Sequence, residues 1–411
     1  MRAVDAPRFD LTDLDSYRAG FPHEVFSWLR AHAPIYWHAP TPHTPQGEGF
    51  WVMSRYADAL AIQLDAKAYS SVTGGSRPQG GTMISDQSGA GLMLNMMDDP
   101  RHRRIRGLVN KGFTPNRIGA LEPELRRRAR GILDALPASG ACDFVSDVAR
   151  DLPLQAICLL LGVPQQDRKM LCDWMDLGLE AESGDALNRE YGRMLSAYGV
   201  ELIAERRKQP GDDLLSVVLQ AELPSEDPPQ LSDPELMFFF TLLFTAGSET
   251  TRKAIAGGLK ALIETPAQLE RLRREPALLG TAIEEIVRWT TPSVYKRRTA
   301  TRDLELHGQK IAAGDKVTFW EMSANRDERV FAEPFRFDVA RDPNPHLGFG
   351  QGVHYCLGAN LARLEMRVMY EELFARFDGF ELSGPAVWTR ENRLLGLKRL
   401  PVRLHRKGGT P

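Results

Sequence analysis

The spacing of hydrophobic and polar positions changes several times along the chain, and each change marks a predicted element. Residues 21–31 have helical spacing, whereas residues 35–37 and 50–53 are short apolar runs joined by a proline-rich loop, as in a β-hairpin. Residues 101–220 follow a helical pattern. Strand-like runs return at residues 299–320, around a turn at His307 and Gly308, and near residues 381–404. These patterns predict a mainly α fold with small β-sheets.

The longest predicted helix begins at Asp233 and Pro234 and extends to about Glu264. At about 1.5 Å per residue it is on the order of 45 Å long, enough to cross the whole molecule. Its most apolar stretch, residues 236–247, is about a dozen residues long, whereas a membrane span needs about twenty. We therefore expect a buried core helix and no membrane anchor.

Residues 69–98, here called the lid segment, are rich in glycine and serine and include several methionines. A loop of this length inside a compact domain is usually either a functional lid or disordered, and the sequence leaves both open. Residues 223–230 are rich in proline, and we interpret them as a surface loop within one domain.

Composition narrows the class of protein. Of the 411 residues, 43% are hydrophobic and 26% are charged, as in ordinary soluble globular proteins. A net charge of -2 argues against a nucleic-acid-binding protein. Residues 1–7 lack an apolar signal segment, and the four cysteines lie far apart without a CxxC pair. This favours a reducing cytoplasm and no zinc site.

Cys356 lies in a glycine-rich turn that precedes a predicted helix, in the run Phe349-Gly350-Gln351-Gly352-Val353-His354-Tyr355-Cys356-Leu357-Gly358. A helix N-terminus lowers the pKa of a thiol below its free value of about 8.5, so we expect a thiolate here. A cysteine thiolate in such a position is one of the side chains that serve as axial ligands of haem iron. The alternative is a buried structural cysteine.

Residues 246–251 place glycine, serine and threonines in the middle of the long helix, where helix propensity is low. A threonine that bonds back to a carbonyl bends a helix and makes room for water. We expect an oxygen pocket in which Ala246 and Gly247 admit a planar cofactor while Glu249 and Thr250 relay protons. A kinked core helix with a surface glutamate is the alternative.

Both segments resemble motifs of the cytochrome P450 family. The turn matches the haem-binding signature, and residues 246–251 match the oxygen-activation motif of an acid followed by threonine. The resemblance extends from about residue 51 to residue 404. It implies a single domain, 1–411, with a β-rich lobe at about 30–75 and 299–320 and a helical core at about 100–290 and 356–378. Haem b (iron protoporphyrin IX) would lie between the long helix and the cysteine helix.

The resemblance also implies roles for individual residues. Cys356 would ligate the haem iron, Thr250 and Glu249 would be catalytic, and Phe349, Ala246 and Gly247 would contact the haem. Four residues match positions that hold the haem propionates, which are His102, Arg106, Arg298 and His354. Lys296 and Arg297, directly before Arg298, would either add a propionate contact or meet a polar group of the substrate.

Glu285 and Arg288 lie three residues apart on one predicted helical face. Taken alone, they would form a surface ion pair of little energetic value. They resemble the family's Glu-x-x-Arg motif, which an arginine of a later proline-containing segment completes. We predict Arg336 as that arginine. Its role would be structural, in the core that carries the turn around Cys356 (residues 349–358, here called the cysteine loop).

The implied activity is monooxygenation with O2, with electrons from NAD(P)H through a reductase and a ferredoxin, of the [2Fe–2S] type or similar. No GxGxxG motif is present, so we expect a separate electron donor. A basic patch behind the thiolate, on the proximal face, would attract an acidic carrier. Its members would be Arg101, Arg103, Arg104, Lys111, Arg363 and Arg367, although charges scattered over solvated helices fit equally well.

The predicted substrate pocket is apolar and rich in methionine, which suits a bulky lipophilic molecule. Its wall would consist of Met83, Met93, Met96, Leu242, Leu243, Ala246, Val294, Tyr295, Leu394 and Leu395. Residues 344–346 and 358–363 resemble actinobacterial sterol and branched-lipid hydroxylases, which favours a steroid, terpenoid or fatty-acyl substrate over a small aromatic or monoterpene one. Two further hypotheses are non-oxygenase chemistry (isomerisation, dehydration or oxidative coupling), which the intact acid–alcohol pair disfavours, and a haem sensor or carrier.

Overall fold

A computed structural model describes residues 9–75, 77–180, 186–223 and 229–408, so the predictions for residues 1–7 and for most of the 223–230 loop lie outside the described residues. The helices are α1 His23–His32, α2 Tyr56–Leu64, α3 Arg101–Asn110, α4 Pro115–Ala120, α5 Glu122–Asp134, α6 Asp151–Leu160, α7 Arg168–Glu180, α8 Ala186–Lys208, α9 Leu214–Leu219, α10 Asp233–Glu264, α11 Pro266–Arg274, α12 Leu279–Thr290, α13 Glu321–Ala324 and α14 Ala359–Arg376. Because about 51% of the chain is helical, the predicted mainly α class is confirmed.

The strands form small sheets, as predicted. They are β1 Ile35–His38, β2 Phe50–Met53, β3 Tyr69–Ser70, β4 Ala141–Asp143, β5 Lys296–Ala300, β6 Leu304–Leu306, β7 Gln309–Ile311, β8 Lys316–Phe319, β9 Phe377–Leu382, β10 Val387–Trp388, β11 Leu397–Arg399 and β12 Pro401–Arg406. A mixed sheet has the order β1-β2-β8-β5-β3, and another has the order β4-β12-β9. The predicted hairpin is confirmed, with Ile35 opposite Met53 and His38 opposite Phe50.

α10 matches its predicted bounds. At its start, the Ser232 N–H and hydroxyl donate to Glu235 Oε2 at 2.9 and 2.7 Å, and Pro234 occupies the first turn, where its missing N–H costs nothing. The helix is buried along most of its length and packs on α6, α8, α12 and α14. None of the described helices is long and apolar enough to cross a membrane.

The chemical cause of the predicted bend in α10 is present. The hydroxyls of Thr245, Ser248 and Thr250 donate to the carbonyl oxygens four residues earlier, at 2.8, 2.7 and 2.8 Å. The chain nevertheless remains α-helical from Asp233 to Glu264. The back-bonded hydroxyls are therefore satisfied without a break in the helix, and a bend of its axis stays a prediction.

The lid segment is ordered where the structure describes it. Its two ends meet, because the Ser71 N–H donates to Asp98 Oδ1 at 2.7 Å and the Ser70 hydroxyl also bonds to Asp98. In the middle, Gln87 Oε1 accepts from the N–H groups of Thr82 and Met83 at 2.9 and 3.1 Å. The segment is therefore a closed loop, as in a lid.

Glu285 and Arg288 form a buried pair at the end of α12, which excludes the surface alternative. Both side chains are 0% exposed, and two bonds of 2.7 Å join them. The third member is Arg341, whose Nε lies 3.1 Å from Glu285 Oε2. The prediction of Arg336 is wrong, because its side chain is 54% exposed and pairs with Glu333 at 2.8 Å. The chain turns at Glu333, which has a φ of 47°, and only Arg341 reaches back to Glu285.

The cluster of Glu285, Arg288 and Arg341 connects α12 to the segment before the cysteine loop. Arg288 Nη1 donates to the carbonyl oxygens of Asn325 and Pro334 at 2.8 and 2.9 Å. Asn325 Oδ1 in turn accepts from the Leu347 N–H at 2.7 Å, two residues before the cysteine loop begins. The position of that loop therefore depends on a buried charge cluster.

Arg341→Ala should destabilise the protein by at least about 2 kcal/mol, because it removes one of the two cations that compensate the buried Glu285 carboxylate. Arg336→Ala is the matched control and should change stability by less than about 0.5 kcal/mol. Urea unfolding followed by circular dichroism measures both. Equal effects of the two substitutions would contradict the assignment of Arg341.

Candidate functional site

The cysteine loop, residues 349–358, is fixed by its own backbone. The Cys356 N–H donates to the Phe349 carbonyl oxygen at 2.8 Å, and α14 begins three residues after the cysteine. Gly352 has a φ of 71°, and a side chain there would come within 2.4 Å of the Gln63 carbonyl oxygen. Only glycine fits this position, so the tight turn presents Cys356 at the N-terminal end of α14.

The thiol of Cys356 does not behave as predicted. Burial raises its pKa above the ordinary value and outweighs the Gly358 N–H and the charges of Lys296 and Arg106, which act in the opposite direction. The Gly358 N–H at the helix N-terminus does act to lower this pKa, but burial has the larger effect and raises the pKa of the free thiol. A bound metal ion would favour the thiolate, because its positive charge replaces the lost hydration.

Phe349 belongs to a cluster underneath the loop. The guanidinium of Arg363 lies 4.4 Å from the centre of the Phe349 ring and binds both carboxylate oxygens of Glu284 at 2.6 and 2.8 Å. The cluster joins α14 to α12 below the cysteine. Contact between Phe349 and a cofactor stays a prediction.

The four residues predicted to hold propionates come together beside the cysteine loop. The rings of His102 and His354 are 4.2 Å apart, and Arg106 Nη2 donates to the Tyr355 carbonyl oxygen at 2.5 Å. Arg298 lies close enough that its charge, with burial as the larger cause, holds the pKa of His354 well below its usual value. Residues from α3, β5 and the loop thus share one small region.

Two of these residues show that the region fits an acidic ligand. His102 is buried; its Nδ1 lies 3.5 Å from the Asp99 carboxylate, and its Nε2 has no hydrogen-bond partner among the described residues. Arg298 is also buried, which lowers its pKa to about 10, and it donates to the Arg297 carbonyl oxygen at 2.9 Å. Within the described chain, no carboxylate bonds to this guanidinium. Haem propionates would supply the missing acceptors.

His354 has other contacts as well. Its Nε2 lies 3.0 Å from the Ser71 hydroxyl, and the ring also bonds to the Met97 backbone. His354 therefore ties the cysteine loop to both ends of the lid segment, and its role toward a propionate stays a prediction.

Lys296, Arg297 and Arg298 are consecutive cations on β5, and their side chains alternate between the two faces of the strand. Arg297 points away from the cysteine loop and binds Asp86 of the lid segment at 2.5 Å. Lys296 and Arg298 lie on the opposite face, because side chains two residues apart share a side of a strand. Lys296 pairs with the fully buried Glu321. Arg297 is thus a lid anchor and Lys296 is engaged by Glu321, so the predicted contact of either residue with a propionate or a polar group of the substrate stays a prediction.

The acid–alcohol pair lies at the middle of α10. Thr250 donates to the Ala246 carbonyl oxygen at 2.8 Å. Glu249 is 17% exposed and binds the fully buried Arg252 at 2.5 Å, so it is not a surface glutamate. In this structure the Glu249 carboxylate is directed toward the next turn of α10.

Ala246 and Gly247 differ in their surroundings. Ala246 is exposed although it lies in the middle of the buried α10, so it faces an open space inside the fold. A side chain at Gly247 would instead meet Ile157 of α6 at 3.0 Å. Gly247 therefore permits close helix packing, and its predicted contact with the cofactor stays a prediction.

The predicted pocket wall divides into two groups. Met83, Met93, Leu242, Ala246 and Leu394 retain accessible surface. The other five are at most 8% exposed, and their place in the wall stays a prediction; they are Met96, Leu243, Val294, Tyr295 and Leu395. Tyr295, for example, packs on Trp320 with ring centres 4.7 Å apart.

Three site residues escaped prediction. Phe238 lies on the α10 face of Leu242 and Ala246, since the three are four residues apart, and it approaches Gly89 of the lid segment. The four-residue spacing of Phe238, Leu242 and Ala246 would have allowed its prediction from the sequence. Glu321 and Arg252 acquire their roles from partners across the fold or along the helix, and neither residue stands in a distinctive pattern.

The predicted basic patch is largely compensated by acids. Arg101 binds Glu235, Arg103 binds Asp99 at 2.8 Å, and Arg363 binds Glu284. Arg367 likewise binds Glu122. The region is therefore a mixture of paired charges, and long-range attraction of an acidic partner is weaker than six free cations would give.

Comparisons with known proteins agree with this geometry. The sequence pattern of the Cytochrome P450 family matches residues 189–405. A Mycobacterium tuberculosis protein named cytochrome P450 126 is 55% identical over 406 residues, covering 97% of this chain and 98% of that protein. The steroid C26-monooxygenase of the same organism is 40% identical, covering 96% and 92%. Its methyl-branched lipid omega-hydroxylase is 39% identical, covering 92% and 90%.

A solved structure shows the same fold. The Mycobacterium marinum cytochrome P450 in complex with pseudoionone superposes with a TM-score of 0.87 at 35% identity, covering 98% of this chain and 100% of that one. The cysteine loop, the α10 motif and the buried Glu285 cluster occur in the order that the family's motifs require. Together with the 55% identical relative, they show that this chain belongs to the cytochrome P450 family and is a monooxygenase of that family.

Proposed function

We propose that this P450 hydroxylates a bulky lipophilic molecule of the steroid, terpenoid or fatty-acyl type, with haem held by Cys356 and by the propionate-binding residues. The observation that carries the proposal is the region beside the cysteine loop, where the buried Arg298 has no carboxylate bonded to it within the described chain and lies with His102 and Arg106. We also propose that the chain works as a single domain, and in the cytoplasm. Its described cysteines form no disulfides, which fits a reducing compartment.

Haem bound through a thiolate supplies iron that activates O2, since the thiolate donates electron density that favours O–O cleavage. The chain's own part is to hold the cofactor, to exclude water and to deliver protons. Arg298, Arg106 and His102 would bind the propionates, and Ala246 leaves room above the ring. Thr250 can turn its hydroxyl from the Ala246 carbonyl toward that space, where it would hold and pass on a proton. Glu249 would supply that proton after leaving Arg252.

The substrate class rests on the accessible wall and on the relatives. The five residues that retain surface are all apolar, and two are methionines, whose flexible side chains adapt to different shapes. Two relatives at 39% and 40% identity are named for a branched lipid and a steroid. A small aromatic or monoterpene substrate is the second candidate, and non-oxygenase chemistry is disfavoured by the intact pair of Glu249 and Thr250.

We propose a ferredoxin, itself reduced by NAD(P)H through a reductase, as the electron donor. It would dock behind the thiolate, where Leu64 and Val353 expose 61% and 38% of their surface next to the cysteine loop. Gly352 lies against the backbone of residues 63 and 64, so these two apolar side chains are neighbours. With most nearby cations paired to acids, this apolar contact would contribute more than electrostatic steering.

Thr250→Ala should lower the yield of hydroxylated product per NAD(P)H consumed by at least fivefold, because the proton-carrying hydroxyl is lost. Thr250→Ser keeps a hydroxyl and is the matched control. The assay uses a surrogate ferredoxin and reductase under oxygen-18 gas, with product analysed by mass spectrometry. Product without oxygen-18 would refute monooxygenation, and an unchanged yield in Thr250→Ala would remove Thr250 from the proton path.

Leu242→Trp should weaken binding of a steroid probe, 4-cholesten-3-one, by at least tenfold, because the larger ring occupies space on the accessible wall. Leu382→Trp, at an exposed position on β9, is the control and should leave the affinity unchanged. The shift of the haem absorption band measures binding. If both variants bound the probe as tightly as the natural sequence, Leu242 would not line the pocket.

A further inference from the structure

A cavity of about 240 Å³ lies along α10, away from the cysteine loop. Lys253, Gly257 and Ala261 form its floor on α10, Trp388 and Leu397 of the β10–β11 hairpin form one wall, and the end of α12 forms another. We call this space the hairpin cavity. Gly257 is eleven residues beyond Ala246, so the cavity is roughly 16 Å further along the helix axis than the space above the haem.

Arg326 gives the hairpin cavity an unbalanced positive charge. The residue is 2% exposed and lines the cavity, and its guanidinium lies 4.4 Å from the centre of the Trp289 ring. Within the described chain it donates to the carbonyl oxygens of Arg288 and Trp289, at 2.9 and 2.8 Å, and to no carboxylate. Its Nε has no acceptor within the described part of the chain. Burial lowers the pKa of Arg326 most, the charges of Arg288, Arg30 and Arg341 lower it further, and the Glu285 carboxylate acts in the opposite direction. A buried cation in such surroundings is costly, and a nearby anion would offset that cost.

The other cations of the hairpin cavity are paired. Lys260 binds both carboxylate oxygens of Glu264, at 2.7 and 2.6 Å, and Lys253 lies 3.7 Å from a carboxylate oxygen of Glu391. Arg326 is thus the cation of the hairpin cavity that has no carboxylate bonded to it within the described chain, and an anionic ligand would compensate its charge. The remaining lining is largely aromatic and aliphatic, with Trp289 and Trp388 on opposite walls.

The size of the hairpin cavity limits the ligand. At roughly 30 Å³ per water in the liquid, 240 Å³ corresponds to about eight waters, which is the space of a benzoate-sized molecule. Drug-sized ligands occupy cavities of about 300 to 1,000 Å³, so a cavity of about 240 Å³ favours a smaller ligand than a steroid. The walls and the charge together select a small aromatic carboxylate.

Lys253 connects the hairpin cavity to the substrate side. Lys253 lines the cavity, and its ammonium group donates to the Leu394 carbonyl oxygen. Leu394 retains surface in the proposed substrate pocket, and the next residue, Leu395, is part of the cavity wall. The turn is also bound to the Val294 N–H through the Arg393 carbonyl oxygen at 2.8 Å. A carboxylate that attracts Lys253 would therefore weaken its hold on the turn.

We infer that the hairpin cavity is a second ligand site, which binds a small aromatic carboxylate and changes the affinity of the haem-side pocket through Lys253 and the Leu394 turn. The coupling rests on the proposed haem site, whereas binding itself does not. Because coupling between sites is reciprocal, each ligand changes the affinity of the other by the same factor.

Binding is tested by calorimetry on the haem-loaded protein with 4-bromobenzoate, against the neutral 4-bromobenzyl alcohol. We expect saturable binding at one site, at least tenfold tighter for the acid, without any shift of the haem band. Ala19→Phe, which fills the exposed mouth of the cavity, should abolish it, whereas Ala138→Phe, at an exposed position between α5 and β4, should not. Equal binding of the alcohol, insensitivity to Ala19→Phe, or a shifted haem band would overturn the site.

Coupling is tested with 4-phenylimidazole, an iron ligand whose use requires no knowledge of the substrate. Saturating 4-bromobenzoate should change its dissociation constant at least twofold in the natural sequence and leave it unchanged in Lys253→Met. Calorimetry on Lys253→Met checks that the acid still binds, and the haem band checks that the cofactor is retained. An unchanged constant in the natural sequence would refute the coupling while leaving the binding site intact.

Discussion

Glu285, Arg288 and Arg341 carry their charges where water barely reaches, and removing one partner from such a cluster costs several kcal/mol. The arrangement around the cysteine depends on this cluster, because Arg288 also holds the carbonyl of Asn325, whose side chain holds the Leu347 N–H. The cysteine loop begins two residues later. A balanced set of buried charges is therefore the scaffold on which the site is built.

The balance of buried charges also distinguishes structural residues from binding-site residues in other parts of the protein. Arg297 is fully buried and is balanced by Asp86, so it fastens the lid segment to β5. Its neighbour Arg298 is buried without an acid bonded to it among the described residues, and it faces the proposed haem site. Arg326 has the same character at the hairpin cavity. Buried cations that protein acids leave unbalanced mark the places where this chain would receive an anionic group.

Local signals predicted much of the fold. The bounds of α10 followed from Asp233, Pro234 and the helical period. The tight turn around Cys356 followed from its glycines, because Gly352 adopts a backbone conformation that only glycine fits. Contacts between distant segments were not predictable. The choice between Arg336 and Arg341 depends on how the chain turns at Glu333, and the pKa of Cys356 depends on burial by the whole fold. Exposure was not predictable for the same reason: apolar residues look alike in sequence, and only packing makes Val294 buried and Leu242 partly accessible.

The central claim is that Cys356 holds haem iron as a thiolate. The most direct measurement is the absorption spectrum of the purified, reduced protein under carbon monoxide, with Cys142→Ser as a control for cysteine replacement and Cys356→Ser as the test. The account predicts the strongly red-shifted band of thiolate-ligated haem in the natural sequence and in Cys142→Ser, and its loss in Cys356→Ser. A band like that of histidine-ligated haem in the natural sequence, or a red-shifted band that survives in Cys356→Ser, would contradict it.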